Sequence, residues 1–233
     1  MKKNEAVEFP IMELKNVCFA YGRQVALRNV SFSVNQKETV VITGPNGCGK
    51  STLLKLMNGL IFAQEGNYSF ANDEITEKKM QNQLYAKAFH QKIGYVFQNS
   101  DVQLFCGSVK EEIEFGPLQM GLDYKEVAKR RDDVAKLFRI EHLLERAPYH
   151  LSGGEKRKVA LACVLSMNPE VLVMDEPLAG LDKKSQMWLM EFLQYMKKSK
   201  KTMIISTHNE ELTDLLKDRV VEMNEAYTIQ RIL

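Results

Sequence analysis

A glycine-rich segment lies between a run of β-forming residues and a run with helical spacing. It reads GPNGCGKST, Gly44 to Thr52, and it follows TVVIT and leads into STLLKLMNGL. The glycines let backbone N–H groups turn inward, and the helix start adds positive partial charge, so both favour a bound phosphate. In this pattern the Lys50 ammonium reaches terminal phosphates and the Ser51 hydroxyl binds Mg²⁺. The flanking pattern disfavours the alternative, a chance glycine-rich turn.

Two adjacent carboxylates follow another apolar run, in VLVMDEP. Asp175 ends that run and can hold Mg²⁺ through its water shell. Glu176 points in a different direction and can position or deprotonate a water aligned with a terminal phosphate. Beside the phosphate loop, this pair predicts a metal-assisted hydrolytic site rather than two solvated acids.

Two further polar residues follow strand-like runs. His208 follows IIST, and Gln98 follows IGYVF. Open α/β sheets place their ligands at the carboxyl ends of strands, which favours a functional role for both residues. A structural histidine and an ordinary turn glutamine remain open alternatives.

A second glycine pair stands at the start of a later helical run, in LSGGEKRKVALA. Ser152 and Glu155 suit an ordinary N-capped helix. Gly153 and Gly154 do not, because each glycine in a helix costs about 1 kcal/mol relative to alanine. Either this is only a capped helix, or it completes a nucleotide site held by another copy, which in a twofold pair gives two equivalent composite sites.

The composition predicts a folded globular protein. The 233 residues are 45% hydrophobic and 27% charged, and the net charge of +2 does not indicate nucleic acid as a partner. No apolar run approaches the ~20 residues that cross a bilayer, and the opening MKKNEAVEFPIMELKN lacks the apolar stretch of a secretory signal. The four cysteines are far apart, which indicates reduced thiols in the cytoplasm rather than disulfides or a zinc site.

The elements around these residues alternate between strand and helix. IMELKNVCFAY, ALRNVSFSVNQ and TVVIT predict strands, and EVLVMDEP and KTMIISTH predict two more with the helix KSQMWLMEFLQYMKK between them. Strand, helix and strand form a parallel α/β unit. We therefore predict an α/β body at residues 1–98 and 168–233, interrupted by a mostly helical lobe at 99–167.

Within that lobe, DYKEVAKRRDDVAKLFRI predicts a helix opened by Asp123, with Glu126 three residues later. Its predicted apolar stripe is Val127, Val134, Leu137 and Phe138. EHLLERA and the stretch after the second glycine pair also predict helices.

LSGGEKRKVALA after GPNGCGKST, with VLVMDEP, AGLD and STH in that order, resembles the ATP-binding subunit of an ABC transporter over nearly the whole chain. The resemblance implies an α/β fold: a P-loop NTPase core with an antiparallel β subdomain and an inserted α-helical subdomain. It also implies an ATP hydrolase that uses ATP and Mg²⁺.

The resemblance further implies roles for individual residues. The catalytic residues would be Glu176, His208 and Gln98, and the Mg²⁺ ligands Ser51, Gln98 and Asp175. ATP would be bound by Tyr21, Gly44, Asn46, Gly47, Cys48, Gly49, Lys50, Ser51, Thr52, Ser152, Gly153, Gly154 and Asp182, of which Ser152, Gly153 and Gly154 act across a dimer. Tyr21 would stack on the adenine ring, with a core or turn tyrosine as the alternative.

Cys48 departs from the family pattern, in which serine or alanine is commoner. If it is exposed, a cysteine beside Lys50 and a helix start is a reactive thiolate. Alkylation is then expected to block ATP hydrolysis unless ATP is bound.

The segment VFQNSDVQLFCGSVKEEIEFGPLQMGL resembles the energy-coupling-factor importers of vitamins or of cobalt and nickel ions. In the family this lobe receives the membrane partner, so Gln103, Leu104 and Phe105 are candidate docking residues, with lobe core as the alternative. The chain ends at Leu233 without the C-terminal extension of many such ATPases.

These features together predict an ATP-driven importer subunit that pairs with a second copy or a paralogous subunit. We expect integral membrane partners, a location at the cytoplasmic face of the membrane, and no nucleic acid partner. A soluble ABC protein of DNA repair or the ribosome is one alternative. A P-loop kinase or GTPase is another, although it leaves LSGGE without a use.

Overall fold

Ten strands form two sheets in the computed structural model, which describes residues 9–233. The strands are β1 Met12–Tyr21, β2 Gln24–Val34, β3 Thr39–Thr43, β4 Glu65–Phe70, β5 Asp73–Glu74, β6 Ile93–Val96, β7 Val171–Asp175, β8 Thr202–Ser206, β9 Arg219–Met223 and β10 Ile229–Ile232. One sheet is antiparallel, in the order β2-β1-β4-β5. The other has the order β10-β9-β3-β8-β7-β6, and all its strands except β10 are parallel.

Eight α-helices complete the described part of the chain. They are α1 Lys50–Met57, α2 Glu77–Met80, α3 Gln83–Lys92, α4 Val109–Gln119, α5 Tyr124–Phe138, α6 Gly153–Ser166, α7 Lys183–Lys198 and α8 Glu210–Leu216. The strands expected at TVVIT, EVLVMDEP and KTMIISTH are confirmed as β3, β7 and β8, and the intervening helix is confirmed as α7. The predicted fold class, two kinds of sheet with helices, is likewise confirmed.

The central parallel strands β3, β7 and β8 are buried on both faces, which explains why they are largely continuous apolar runs. On β3, Val40 and Ile42 contribute to a core with the antiparallel sheet, whereas Val41 contributes to a core with the helices α4 to α7. On β8, Ile204 and Ile205 divide in the same way. The parallel sheet therefore separates two apolar layers.

The segment 99–167 contains helices and 3₁₀ turns but no strand among the described residues. Asp123 caps α5 as expected, since its Oδ1 accepts from the N–H groups of Lys125 and Glu126 at 2.9 Å each. Two expectations for this region are wrong. EHLLERA forms only a 3₁₀ turn, Glu141–Leu143, and Leu137 is 48% exposed because it lies about 100° around the helix from buried Phe138.

The register of the parallel sheet brings four strand ends to one edge. Ile42 and Asp175 both pair with Ser206, and Val96 pairs with Met174. The residues that follow β3, β6, β7 and β8 therefore meet at this edge, where open α/β sheets bind ligands.

None of the helices described between residues 9 and 233 has the length and apolar composition needed to cross a bilayer. The sequence expectation about a secretory signal concerns the opening segment, of which residues 1–8 lie outside the described part of the chain.

Candidate functional site

The loop after β3 is held against neighbouring backbone. Gly44 and Gly49 have φ angles of 139° and 102°, which favour glycine. A Cβ on Gly44 would lie 2.4 Å from the Met223 carbonyl oxygen, and one on Gly49 would lie 2.3 Å from the Ala26 carbonyl oxygen. The loop therefore cannot accept a side chain at either position, and it approaches both strands as closely as backbone allows.

Lys50 closes this loop from the inside. Its Nζ donates to the carbonyl oxygens of Gly44 at 2.8 Å and Pro45 at 3.0 Å, and the residue is 7% exposed. Lys50 is also the first residue of α1, whose N-cap Gly49 offers no side-chain acceptor. The helix start and the ammonium group thus supply positive charge at one point, which suits a phosphate.

His208 lies between Lys50 and Glu176. Its Nε2 is 3.2 Å from Lys50 Nζ and 3.1 Å from Glu176 Oε1. An ammonium only donates, so the Lys50 contact needs an unprotonated Nε2, whereas a bond to the carboxylate needs a proton on the same nitrogen. The nitrogen cannot serve both groups at once.

The Glu176 carboxylate is accordingly left with a free acceptor. Its Oε1 is buried, and its contact with His208 does not have hydrogen-bond geometry. Burial raises the pKa of Glu176, and the charges of His208 and Lys50 oppose that rise. A buried carboxylate oxygen without a hydrogen-bond partner is suited to accept from a water or another ligand.

Asp175 and the Glu176 backbone are both held by Ser206, which the sequence analysis did not single out. The Ser206 hydroxyl donates to Asp175 Oδ1 at 2.5 Å, and the Glu176 N–H lies 3.1 Å from the same hydroxyl oxygen and 3.0 Å from the Ser206 carbonyl oxygen. The only sequence signal for this role is the position of Ser206 at the end of the run that precedes His208.

A cavity of about 370 Å³ opens at this edge. The sequence-predicted residues on its wall are Tyr21, Asn46, Gly47, Gly49, Lys50, Ser51, Thr52, Gln98, Glu176 and His208. It is also lined by five residues that the sequence analysis missed, namely Gln24, Val25, Ala26, Ala179 and Tyr227. Tyr21 is 47% exposed and contacts Phe19 edge-on with ring centroids 4.9 Å apart, so its ring is available to a ligand.

The cavity suits a polyphosphate with a divalent cation. The glycine loop, Lys50 and the start of α1 provide the phosphate cradle, while the free Oε1 of Glu176 provides an acceptor beside it. The Ser51 hydroxyl and the Asp175 carboxylate are oxygen donors of the kind that Mg²⁺ prefers, alongside phosphate oxygens and waters.

The second glycine pair is not on this wall. Ser152 caps α6, with its N–H and hydroxyl donating to Glu155 Oε2 at 2.8 and 2.7 Å, and these bonds lower the pKa of Glu155. A Cβ on Gly154 would lie 2.4 Å from Ser185 Oγ, so this glycine also leaves room for Ser185 within the chain. A Cβ on Gly153 would meet nothing within 4 Å, so of the two glycines in this pair it is Gly153 that faces open space.

Asp182, from the AGLD segment, is likewise separate from the cavity wall. It is the N-cap of α7, where its carboxylate accepts from the Ser185 N–H at 2.9 Å and the Ser185 hydroxyl at 3.0 Å. These bonds lower the pKa of Asp182.

Arg157 ties α6 to the end of β6. It is 3% exposed, and its two terminal nitrogens donate to the carbonyl oxygens of Phe97 and Gln98, each at 2.6 Å. Burial lowers the pKa of Arg157. One residue earlier, Lys156 pairs with Asp101 at 2.5 Å. Two cations of one helix turn therefore hold the segment that carries Gln98.

A second large cavity, about 550 Å³, lies between α3 and the helical segment. Phe105 is 69% exposed on its wall and meets Phe115 edge-on with ring centroids 5.1 Å apart. Gln103 also lines it, but its amide bonds Tyr95 O at 3.2 Å and Phe97 N at 3.1 Å. Leu104 packs partly on the core. Of the three candidate docking residues, Phe105 is thus the one that is free to meet a partner.

Comparison with known proteins gives a consistent result. The model of the family described as ABC transporter matches residues 27–179. The nickel import ATP-binding protein LarO of Lactiplantibacillus plantarum is 41% identical, over 94% of this chain and 91% of its own length.

Two solved structures are also similar. The structure of cbiO1 from Clostridium perfringens, described as part of the ABC transporter complex cbiONQ, has a TM-score of 0.83 at 35% identity and covers 96% of this chain and 88% of that one. A dimeric ATP-binding cassette, solved in a post-hydrolysis state with ADP and phosphate, has a TM-score of 0.84 at 27% identity. The match covers 95% of this chain and 97% of that one.

Cys48 does not meet the condition for a reactive thiolate. It is 1% exposed, and burial raises its pKa despite the opposing charge of Lys50. We predict that N-ethylmaleimide at pH 7 modifies Cys48 about tenfold more slowly than the partly exposed Cys18, because the thiolate is the reacting species. Peptide mapping by mass spectrometry measures both rates in one sample. Faster labelling at Cys48, prevented by ATP, would contradict this.

Proposed function

The chain belongs to the ABC transporter family and is an ATP-hydrolysing transporter subunit, and we propose that it drives an importer of the energy-coupling-factor type. The proposed ATP hydrolysis mechanism rests on one observation: His208 contacts both Lys50 and Glu176 beside the glycine loop. The importer type is supported by the similarity to a nickel import protein and to cbiO1. A vitamin or a transition-metal ion is the proposed cargo class.

In this proposal the γ-phosphate of ATP binds the Lys50 ammonium group. The ammonium exchanges the Gly44 and Pro45 carbonyl oxygens for phosphate oxygens, which carry more negative charge. His208 is then released from Lys50 and can donate to the phosphate. Tyr21 packs against the adenine ring, and the loop N–H groups hold the remaining phosphates.

Glu176 is the proposed general base. Its free Oε1 accepts a hydrogen bond from the attacking water and takes the proton as the water adds to the γ-phosphorus. The bond from the γ-phosphorus to the oxygen that bridges it to the β-phosphate breaks in the same step, so ADP leaves with that oxygen and inorganic phosphate is formed. Gln98 orients the same water from the end of β6. Bound Mg²⁺, held by Ser51, Asp175 and Gln98, would neutralise phosphate charge.

The pairing of two chains is proposed from the second glycine pair. Gly153 faces open space at the start of α6, where its N–H can meet an anion from outside the chain. Ser152, Gly153 and Gly154 would then bind the γ-phosphate of ATP held by a second copy or a paralogous subunit, with Asp182 at the junction. The dimeric cassette among the similar structures supports this arrangement.

Membrane subunits are proposed to dock in the groove beside Phe105, at the cytoplasmic face of the membrane. An exposed aromatic pair over a cavity of about 550 Å³ suits an apolar helix of a partner. Arg157 supplies the link, because it joins α6 to the Gln98 backbone. Movement of Gln98 on ATP binding would therefore shift the helical segment that forms the groove, residues 99–167 in the proposed domain division.

We predict that Glu176→Gln lowers turnover about 10²-fold or more while ATP binding persists, because only proton acceptance is lost. Trapped ATP then holds two chains together, so light scattering should show a dimer in ATP and a monomer without it. Adding Ser152→Arg to this variant should restore the monomer in ATP. A Glu176→Gln protein that binds ATP and stays monomeric would count against the composite site.

We predict that Phe105→Asp reduces co-purification with the membrane subunits about tenfold or more, since it places a charge in an apolar contact. ATP hydrolysis by the isolated chain should be unchanged. Leu118→Asp, an equally drastic change at a residue that is 41% exposed on α4 and outside the groove lining, is the matched control. Equal retention of both variants on the membrane complex would exclude this docking surface.

A further inference from the structure

The turn between β9 and β10 brings a second aromatic residue to the nucleotide cavity. Tyr227 lines the same wall as Tyr21, Gln24, Val25 and Ala26. We propose that Tyr227 is a second contact for the nucleoside half of ATP and sets the affinity for the base and ribose. This rests on the proposed function only in that the cavity of about 370 Å³ is where ATP binds.

The backbone connects Tyr227 to β2, which supplies uncharged residues to the cavity wall. Its carbonyl oxygen accepts from the Arg28 N–H at 2.9 Å, and Arg28 lies in β2, the strand that supplies Gln24, Val25 and Ala26 to the wall. Gln24 in turn pairs with Tyr21 across the β1–β2 hairpin. Tyr21, Gln24, Val25, Ala26 and Tyr227 carry no charge, whereas Lys50 and Glu176 on the same cavity wall are charged. A neutral ring with one hydroxyl therefore suits a base or a ribose.

The turn that holds Tyr227 is tightly bonded. Asn224 Oδ1 accepts from the N–H groups of Ala226 at 3.0 Å and Thr228 at 3.2 Å, and from the Thr228 hydroxyl at 3.0 Å. The Tyr227 N–H donates to the Asn224 carbonyl oxygen at 3.0 Å. The backbone that carries the ring is thus positioned before any ligand arrives, which lowers the entropy cost of binding.

Tyr227 also has an unfavourable backbone conformation. Its φ is 64°, in the left-handed region that a bulky residue rarely occupies and that glycine adopts freely. Core packing does not account for the side chain, because the described residues that pack partly on the core include Ile229 but not Tyr227. A strained residue at the wall of a binding cavity is more readily explained by a contact with the ligand.

The test compares ATP with inorganic tripolyphosphate, which has the phosphates but no nucleoside. Isothermal titration of Tyr227→Ala should show ATP binding weakened about tenfold, the size expected for loss of one aromatic contact to a base. Tripolyphosphate binding should be unchanged. Tyr227→Phe should keep most of the ATP affinity, and Tyr195→Ala, at a tyrosine that is 59% exposed on α7, should keep all of it.

A glycine variant separates ligand contact from structural support. Tyr227→Gly should retain or raise the melting temperature, because the strain is relieved, while it weakens ATP binding as Tyr227→Ala does. Unchanged ATP affinity in Tyr227→Ala, an equal loss for tripolyphosphate, or a lower melting temperature without a loss of affinity would each overturn the inference. Failure of the unaltered protein to bind ATP would instead overturn the proposed function.

Discussion

The backbone of residues 44–49 has to turn its N–H groups inward while the carbonyl oxygens of Ala26 and Met223 press on it from outside. Only glycine satisfies both demands at Gly44 and Gly49, because a Cβ there would collide with the backbone of β9 or β2. Lys50 then fixes that shape by bonding two of the loop's own carbonyl oxygens. The rest of the site is arranged around the point where this ammonium group lies.

The contacts of Lys50 connect the nucleotide to the distant parts of the chain. A phosphate that binds Lys50 also changes the environment of His208 and Glu176, because Lys50 and Glu176 compete for one ring nitrogen of His208. Gln98 lies on the same cavity, and its carbonyl oxygen is held by Arg157 of α6. In the proposed function, a change at the γ-phosphate position therefore reaches the helical segment through Gln98 and Arg157.

Much of this site could be predicted from sequence, because short motifs encode local geometry. GPNGCGKST and VLVMDEP each specify a strand, a turn and the polar groups that follow, and ten of the predicted residues line one cavity. The contacts that could not be predicted from sequence depend on which strands and segments are neighbours in the fold. Ser206 holds Asp175 only because β7 pairs with β8, and the burial of Cys48 and the fit of Gly154 against Ser185 come from packing between distant segments. Tyr227 reaches the cavity through a turn with no motif.

The central claim is that the phosphate cradle of one chain and the second glycine pair of another form one site, and mixing two inactive variants tests it directly. Lys50→Ala and Ser152→Arg should each abolish ATP hydrolysis alone. A mixed pair contains one site with both defects and one site with neither, so the mixture should regain clear activity that depends on total protein concentration. A mixture no more active than its components, although pairs form in ATP, would contradict the account.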